Sequence, residues 1–282
     1  MQAGGRYHMR PVIEKELLHY DILFALDKEG LLDQLTFQGG TSLRLCYGSQ
    51  RFSEDLDFVG GLDFATEKLL EMKSSVEHYI GKRYGVEVYV KEPKETAQDH
   101  ESRELNVDRW QIRVATSPDR RDLPKKMIKI EVVNVPAYTR EPLPLRHNYD
   151  FLPDGYSDTL IFVESLDEIM ADKLISLVDC RAYVRHKDIW DLRWLRQQGA
   201  MVNPGHISKK LNDYNVIDYK VKVDEMIERL PGIINGKDFR DQMLRFIPID
   251  VQERTLLKKK FLIFLENETI QLLKETGKLI AE

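Results

Sequence analysis

Hydrophobic and polar positions follow two different periods along this chain, and the change of period divides it. Apolar side chains recur at helical spacing over 11–34 and 64–80, which predicts two helices. A period of two predicts strands over 55–58, 86–90, 105–115 and 127–135. The first half of the chain therefore predicts a small mixed α/β domain.

The second half of the chain follows the helical period throughout. A stretch with four prolines over 136–159 predicts a connector, so we expect domains at 1–150 and 151–282. Ser165 and Glu168 have the spacing of a capping box, which predicts that a helix begins there. Further helices are predicted over 187–198, within 206–246 and over 251–278.

Two acidic residues on one predicted strand are candidates for metal binding. Asp55 and Asp57 are two residues apart, so their carboxylates face the same side, roughly 6.5–7 Å apart at Cα. Such a pair suits a hard divalent cation like Mg²⁺, which also takes phosphate oxygens as ligands. Glu131 offers a third carboxylate from the polar face of a later strand. Each acid alone is also compatible with a solvated strand, and only their combination favours a metal site.

The glycine motif Gly39-Gly40-Thr41-Ser42 precedes this strand, and a short helix is predicted directly after it. Glycines let the backbone approach a ligand closely, and a helix that begins after them points N–H groups at an anion. Ser42 adds a hydroxyl donor. The glycine motif and the acidic pair together predict a site for a triphosphate and a metal ion.

Composition narrows the class of protein. The chain has 282 residues, of which 42% are hydrophobic and 32% charged, and its net charge is -5. These values exclude a disordered chain and a protein that binds nucleic acid over a strongly basic whole surface. No apolar run reaches the roughly 18 residues of a membrane span, and the start lacks the apolar stretch of a signal peptide. We therefore expect a cytoplasmic protein with no membrane partner.

Two smaller features bear on its chemistry. Cys46 and Cys180 are too few for a disulfide framework or a four-ligand zinc site. A basic cluster over 120–129 is compatible with either an RNA-contacting surface or a charged, solvated loop.

Three charged residues lie on apolar helix faces in the second half. Lys173 lies within an apolar stripe, where a lysine must reach solvent or meet a negative partner. A triphosphate in an interdomain cleft and a structural salt bridge both satisfy that requirement. Asp188 and Asp191 share a stripe with leucines, which implies cationic partners such as Arg181 or Arg185.

These motifs resemble those of the AbiEii/AbiGii toxin family of nucleotidyltransferases, and the likeness covers roughly 12–195. Its N-terminal blocks are IEK at 13–15, FQGGTSL at 37–43 and RFSEDLDF at 51–58. Its C-terminal block contains Lys173, Arg181, Arg185, Lys187, Asp188, Asp191 and Leu192. Lys187-Asp188 stands where the family more often has Arg-Asp.

The resemblance implies a DNA-polymerase-β-like nucleotidyltransferase domain followed by an all-helical domain. It also implies an NTP substrate and Mg²⁺ or Mn²⁺ as cofactor. The roles carried over are nucleotide binding for Gly40 and Ser42, metal binding for Asp55 and Asp57, and an essential lysine and acid in Lys173 and Asp188. Family members are toxins of type IV toxin–antitoxin systems, whose antitoxin does not usually form a stable complex with the toxin. Some transfer nucleotides to the 3′ end of tRNA and so block translation.

We therefore expect metal-dependent transfer of NMP from an NTP to a hydroxyl acceptor, with release of pyrophosphate. Asp55 and Asp57 would hold the metal, and Glu131 would hold a second ion or take the proton from the hydroxyl. The backbone of 39–42 would hold the triphosphate, Lys173 would neutralise phosphate charge, and Asp188 would position Lys173 or the base. Two alternatives are a small-molecule (antibiotic) nucleotidyltransferase and a nucleotide-sensing module without turnover.

Overall fold

The computed structural model describes residues 3–93, 105–116 and 125–279 and divides the chain into two compact units. The sheet unit comprises Pro11–Gly48 and Phe52–Glu164. The helical unit comprises the described residues up to Arg10, Ser49–Arg51, and those from Ser165 on. This division lies at 164/165, later than the expected boundary at 150/151, because one more strand joins the sheet before the helices begin.

Among the described residues, seven strands form one mixed sheet. They are β1 (Thr36–Gln38), β2 (Leu56–Val59), β3 (Val88–Lys91), β4 (Val107–Val114), β5 (Lys126–Val133), β6 (Glu141–Pro144) and β7 (Leu160–Val163). Their spatial order is β3-β4-β5-β2-β1-β7-β6. The pairs β2/β5 and β1/β7 are parallel, and the other neighbouring pairs are antiparallel. The predicted strands correspond to β2, β3, β4 and β5.

Three strands lie where the hydrophobic pattern predicts none. β1 has only three residues, which is too short to display a period of two. β6 contains Pro142 and Pro144 within the predicted connector. β6 is an edge strand, and an edge tolerates proline because one side of the strand forms no ladder hydrogen bonds.

Among the described residues, three α-helices accompany the sheet, and their bounds differ from the predicted ones. They are α1 (Ala3–Lys28), α2 (Gly39–Leu45) and α3 (Met72–Tyr84). α1 ends before 34, close to Gly30, which has a φ of 67°. The predicted helix over 64–80 is divided into a 3-10 turn at Thr66–Leu69 and α3. α2 begins at Gly39 itself, so the glycine pair forms the first turn of the helix rather than a loop before it.

The helical unit contains the remaining helices. They are α4 (Leu166–Asp179), α5 (His186–Gln197), α6 (Pro204–Asp213), α7 (Tyr219–Ile234), α8 (Lys237–Phe246), α9 (Ile249–Arg254) and α10 (Lys259–Leu279). The predicted cap is confirmed, since the Ser165 side chain accepts a hydrogen bond from the Glu168 N–H. The predicted helix over 251–278 is wrong in its continuity, because Thr255 leaves the helical conformation between α9 and α10. No helix in the described part of the chain is long and apolar enough to cross a membrane.

Candidate functional site

Two of the predicted acids occupy the centre of the sheet. β2 lies between β1 and β5, and in this register Asp57 pairs with Gln38 on one side and Glu131 on the other. Register partners point to the same face of a sheet, and strands are spaced by about 4.7–4.9 Å. Leu56 and Phe58 are buried on the opposite face and fix the strand in the core. Asp57 and Glu131 are therefore neighbours on one face.

The glycine motif contacts the acidic pair directly. Gly39 comes directly after Gln38, the residue of β1 that pairs with Asp57. Its φ is +77°, a backbone conformation that residues with an L side chain rarely adopt. A Cβ added at Gly39 would lie 2.8 Å from Asp57 Oδ2. Only glycine allows the Asp57 carboxylate to lie this close to the turn. The structure thus brings together Gly39 and Asp57, which are eighteen positions apart in the sequence.

The two hydroxyl groups of the glycine motif are engaged within the protein. Thr41 Oγ1 donates a hydrogen bond to the Asp55 carbonyl, and Ser42 Oγ donates one to the Gly39 carbonyl at 2.9 Å. Both side chains are buried, as is Gly40. Ser42, predicted as a hydroxyl donor to phosphate, instead stabilises the turn here, and Thr41 ties the turn to the acidic pair.

Two side chains of α1 contact Glu54, the residue directly before Asp55, and the sequence analysis did not predict them as part of the site. Lys15 Nζ forms an ion pair with Glu54 Oε1 at 2.9 Å, and His19 Nε2 lies 3.0 Å from the Glu54 carbonyl oxygen. Burial lowers the pKa of His19 to about 4, so a neutral ring donates this bond through Nε2–H. Lys15 and His19 are four residues apart and therefore lie on one face of the helix. This spacing is the feature of the sequence that could have identified them.

The donor set partly fits a divalent cation. Asp55 and Asp57 offer the hard carboxylate oxygens that Mg²⁺ prefers. Glu131 accepts an ion pair from Arg109, with Arg109 Nε 2.9 Å from Glu131 Oε1, and the two residues are cross-strand register partners. Across the described residues, no three His, Cys, Asp or Glu side chains are arranged to hold a metal ion. Asp55 and Asp57 thus offer carboxylates of the right chemistry for such an ion, and Glu131, which Arg109 engages, lies beside Asp57 on the same face.

The predicted lysine and acid of the second half meet within the helical unit. Lys173 Nζ lies 2.9 Å from Asp188 Oδ1 and 2.8 Å from Asp191 Oδ2. Arg51 holds Asp191 through two bonds of 2.6 Å, and Arg185 Nε donates to Asp188 Oδ2. We call these five side chains the buried ion cluster. Arg185 was among the expected partners, whereas Arg181 is exposed and Arg51 was not foreseen.

Mutual attraction outweighs burial in this cluster. Burial by itself would lower the pKa of Lys173, but Asp188 and Asp191 raise it above its usual value. Burial would raise the pKa of Asp188, but Lys173 and Arg185 hold it well below its usual range. Arg51 and Lys173 likewise lower the pKa of Asp191. The cluster is therefore fully charged near neutrality, with three cations and two carboxylates.

The structure thus assembles the predicted residues as two groups. Gly39–Ser42, Asp55, Asp57 and Glu131 belong to the sheet unit, and Lys173 and Asp188 belong to the helical unit. Of the basic cluster over 120–129, Arg120 and Arg121 lie outside the described residues. Lys125 and Lys126 form ion pairs with Glu87 and Glu14.

Comparison with known proteins identifies the family of this chain. The family model for the nucleotidyl transferase AbiEii toxin of type IV toxin–antitoxin systems matches residues 21–266. No curated protein gives a significant match.

The first of two similar solved structures shows the fold. The nucleotidyltransferase toxin MenT4 from Mycobacterium tuberculosis H37Rv has 18% identity and a TM-score of 0.57, with 98% of this chain and 90% of that chain covered. JHP933 from Helicobacter pylori has 19% identity and a TM-score of 0.46, with 96% and 93% covered. The family match covers most of the chain, and this chain therefore belongs to the AbiEii nucleotidyltransferase toxin family of type IV toxin–antitoxin systems.

Proposed function

We propose that this toxin transfers an NMP from an NTP to a hydroxyl at the 3′ end of tRNA, and that the modified tRNA no longer supports translation. The observation that carries the proposal is the approach of the Asp57 carboxylate to the Gly39 turn, which joins a cation-binding acid to a backbone turn that can approach phosphate. The reaction belongs in the cytoplasm, where NTPs and tRNA are available. The cognate antitoxin acts without a stable complex with the toxin.

The proposed reaction forms one phosphorus–oxygen bond and breaks another. The acceptor hydroxyl oxygen attacks the α-phosphorus of the NTP, and the bond from that phosphorus to the oxygen of the β-phosphate breaks. Pyrophosphate leaves with the bonding electron pair, and the hydroxyl proton goes to a carboxylate or to water. Asp55 and Asp57 would hold Mg²⁺ or Mn²⁺, which would supply charge neutralisation for the triphosphate and the leaving group.

Other residues of the chain have supporting roles in this proposal. Backbone N–H groups of 39–42 orient the triphosphate, while Thr41 and Ser42 hold that turn in place. Glu131, on the same face as Asp57, accepts the proton of the attacking hydroxyl or contributes to a second ion. Lys173 contributes positive charge toward phosphate, and Asp188 positions it through their 2.9 Å contact.

The test is a labelling experiment. The purified protein is incubated with Mg²⁺, total tRNA and each labelled NTP in turn, beside Asp55→Asn/Asp57→Asn. A matched control, Asp63→Asn/Asp158→Asn, removes the same charge from exposed positions of the sheet unit. We expect label on tRNA with the wild type and the control, and none with Asp55→Asn/Asp57→Asn. Equal labelling by all three proteins would exclude the acidic pair as the metal site.

The acceptor is tested in the same experiment. If the wild type labels no RNA but labels a small hydroxylated molecule such as an aminoglycoside, the tRNA proposal is wrong and the antibiotic alternative applies. If NTP binds without any transfer product, the nucleotide-sensing alternative applies.

A further inference from the structure

The helical unit contains a cavity remote in sequence from every motif discussed so far. Its volume is about 430 Å³, and it is lined by the end of α7, the start of α8, the segment before α10 and the first turn of α10. Pockets that bind small molecules generally span about 300–1,000 Å³. The cavity is therefore large enough to accept a group such as a nucleobase.

Its lining is apolar at the base and cationic at the rim. Phe239 and Leu256 are buried in the lining, and Leu262 is half-buried beside them. Lys237, Arg240 and Lys259 also line the cavity, and all three are exposed. The lining includes no Asp or Glu. The buried side chains named in the lining are thus apolar, and its charged side chains are all cationic.

The positive charge at this rim is not neutralised locally. Lys237, Arg240 and Lys259 form no ion pair with any residue in the described part of the chain, and neither do their neighbours Lys258 and Lys260. Residues 234–262 carry seven Lys or Arg and four Asp or Glu, although the whole chain has a net charge of -5. A concentration of unpaired cations in an acidic protein attracts a polyanion.

We propose that this cavity is a docking site for single-stranded RNA, with one base on its apolar floor and the flanking phosphates on Lys237, Arg240 and Lys259. Single strands are bound in this way elsewhere, by positive grooves that follow the backbone and apolar or aromatic surfaces that receive bases. An acidic peptide would satisfy the cationic rim, but its carboxylates would leave the apolar floor uncovered. The inference rests on the proposed function in that the RNA is the acceptor strand of the transfer reaction.

The first test measures RNA binding by the full-length protein in the absence of NTP. Fluorescence anisotropy with a labelled single-stranded RNA compares the wild type with Lys237→Gln/Arg240→Gln/Lys259→Gln between 50 and 200 mM salt. The control Lys28→Gln/Arg229→Gln/Lys274→Gln removes the same charges from exposed, unpaired positions. We expect the cavity variant to bind about tenfold more weakly, with a salt slope smaller by about 2, because each phosphate contact contributes about 0.7 for single strands. Equal weakening by the control variant would overturn the proposal.

The second test examines the cavity floor and the class of partner. A length-matched abasic strand keeps the phosphates and lacks the bases, so we expect the wild type to bind it more weakly than RNA. Equal affinity for the two strands would overturn the placement of a base in the cavity. Poly-glutamate of the same length is expected not to displace RNA, and displacement at equal charge concentration would assign the surface to an acidic protein instead.

The transfer reaction separates this inference from the proposed function. The cavity variant is expected to label RNA with a raised KM for RNA and an unchanged kcat. If the wild type transfers label and the variant has the same KM, the docking site is wrong and the proposed function stands. If the wild type transfers label to no RNA, the proposed function is wrong, and the direct binding measurements decide the docking site by themselves.

Discussion

At the scale of single residues, the site depends on one glycine that nothing larger can replace. Gly39→Ala places a methyl group 2.8 Å from Asp57 Oδ2 at a φ of +77°. The backbone strain costs about 1–2 kcal/mol. The clash is relieved only if the Asp57 carboxylate swings away. If Asp57 holds the metal ion as proposed, this displacement should lower kcat by about a hundredfold.

The variant Gly85→Ala separates the effect of backbone strain from the effect of displacing the Asp57 carboxylate. Gly85 also has a positive φ, of +63°, but a Cβ there would meet nothing within 4 Å. Chemical denaturation should show similar losses of stability for the two variants, while transfer assays should show a loss of kcat for Gly39→Ala alone. Equal kcat in both would mean that Asp57 does not need its place beside the turn.

His19 gives a residue-scale prediction about pH. Burial lowers the pKa of His19 to about 4 in the folded protein, whereas an unfolded histidine titrates near about 6.5. Between these values the unfolded chain binds the proton and the folded chain does not, so acid favours unfolding. From pH 7 to pH 5, this one group should remove about 2 kcal/mol of stability.

His19→Gln keeps a donor for the Glu54 carbonyl and cannot titrate in this range. Urea denaturation at pH 7 and pH 5 gives the difference between wild type and variant at each pH, which removes the contributions of the other groups. The wild type should lose about 2 kcal/mol more than the variant. An equal loss in both proteins would show that the imidazole is accessible to protons when folded.

At the scale of elements, the sequence predicts what depends on periodicity or on short motifs. β4 and β5 show alternating burial over eight residues each, so their pattern was visible. β1 and β7 are strands because each pairs with a distant segment, which a local pattern does not contain. The same distinction holds for the site. Asp55, Asp57 and Gly39 could be proposed from their motifs alone, whereas the partners of His19 and Arg51 lie 35 and 140 residues away, where no local pattern shows them.

The buried ion cluster joins α4 to α5 through Lys173, Asp188 and Asp191. Asp191 is the member whose replacement should cost the most stability. Asp191 is fully buried and neutralises both Arg51 and Lys173. Asp191→Ala leaves these cations with one remaining carboxylate of the cluster, which costs about 3–5 kcal/mol. Asp224→Ala breaks the exposed pair with Lys220 and costs at most about 1 kcal/mol. Urea denaturation of the two variants at neutral pH should show this contrast, and similar losses would indicate that water reaches the cluster.

The pH range over which the buried ion cluster stabilises the protein follows from the direction of the pKa shift of each member. The pKa values of Asp188 and Asp191 are lowered, so their contribution is present above the unfolded value of about 3.9 and lost as the pH falls through the folded value. The pKa of Lys173 is raised, so its contribution is present below about 10.4 and lost only as the pH rises through the folded value. The cluster should therefore stabilise the helical unit evenly from about pH 4 to pH 10.

At the scale of the whole molecule, the chain alternates between its two units rather than forming them one after the other. Ser49–Arg51 belongs to the helical unit although the residues on both sides belong to the sheet unit. The predicted division into 1–150 and 151–282 treats the chain as two consecutive blocks, because a local pattern does not show that Arg51 pairs with Asp191. The same block of sequence, 51–58, thus supplies one residue to the ion cluster and two acids to the candidate metal site.

Lys173 decides whether transfer requires groups from both units. The buried ion cluster has three cations and two carboxylates, so the loss of Lys173 leaves equal numbers of each. In Lys173→Met, Asp188 keeps Arg185 and Asp191 keeps both bonds to Arg51, so we expect a small loss of stability. If Lys173 supplies charge to the phosphates, kcat per folded molecule should nevertheless fall about a hundredfold.

Lys210 is the matched control, because it is the other fully buried lysine among the described residues and lies in the same unit. It pairs with Glu168 and Asp172, and Lys210→Met leaves both acids without their buried cation. This variant should lose more stability than Lys173→Met while its kcat per folded molecule is unchanged. Measuring transfer rates and the folded fraction on the same samples separates the two effects. Activity that follows the folded fraction in both variants would assign Lys173 a purely structural role and confine the chemistry to the sheet unit.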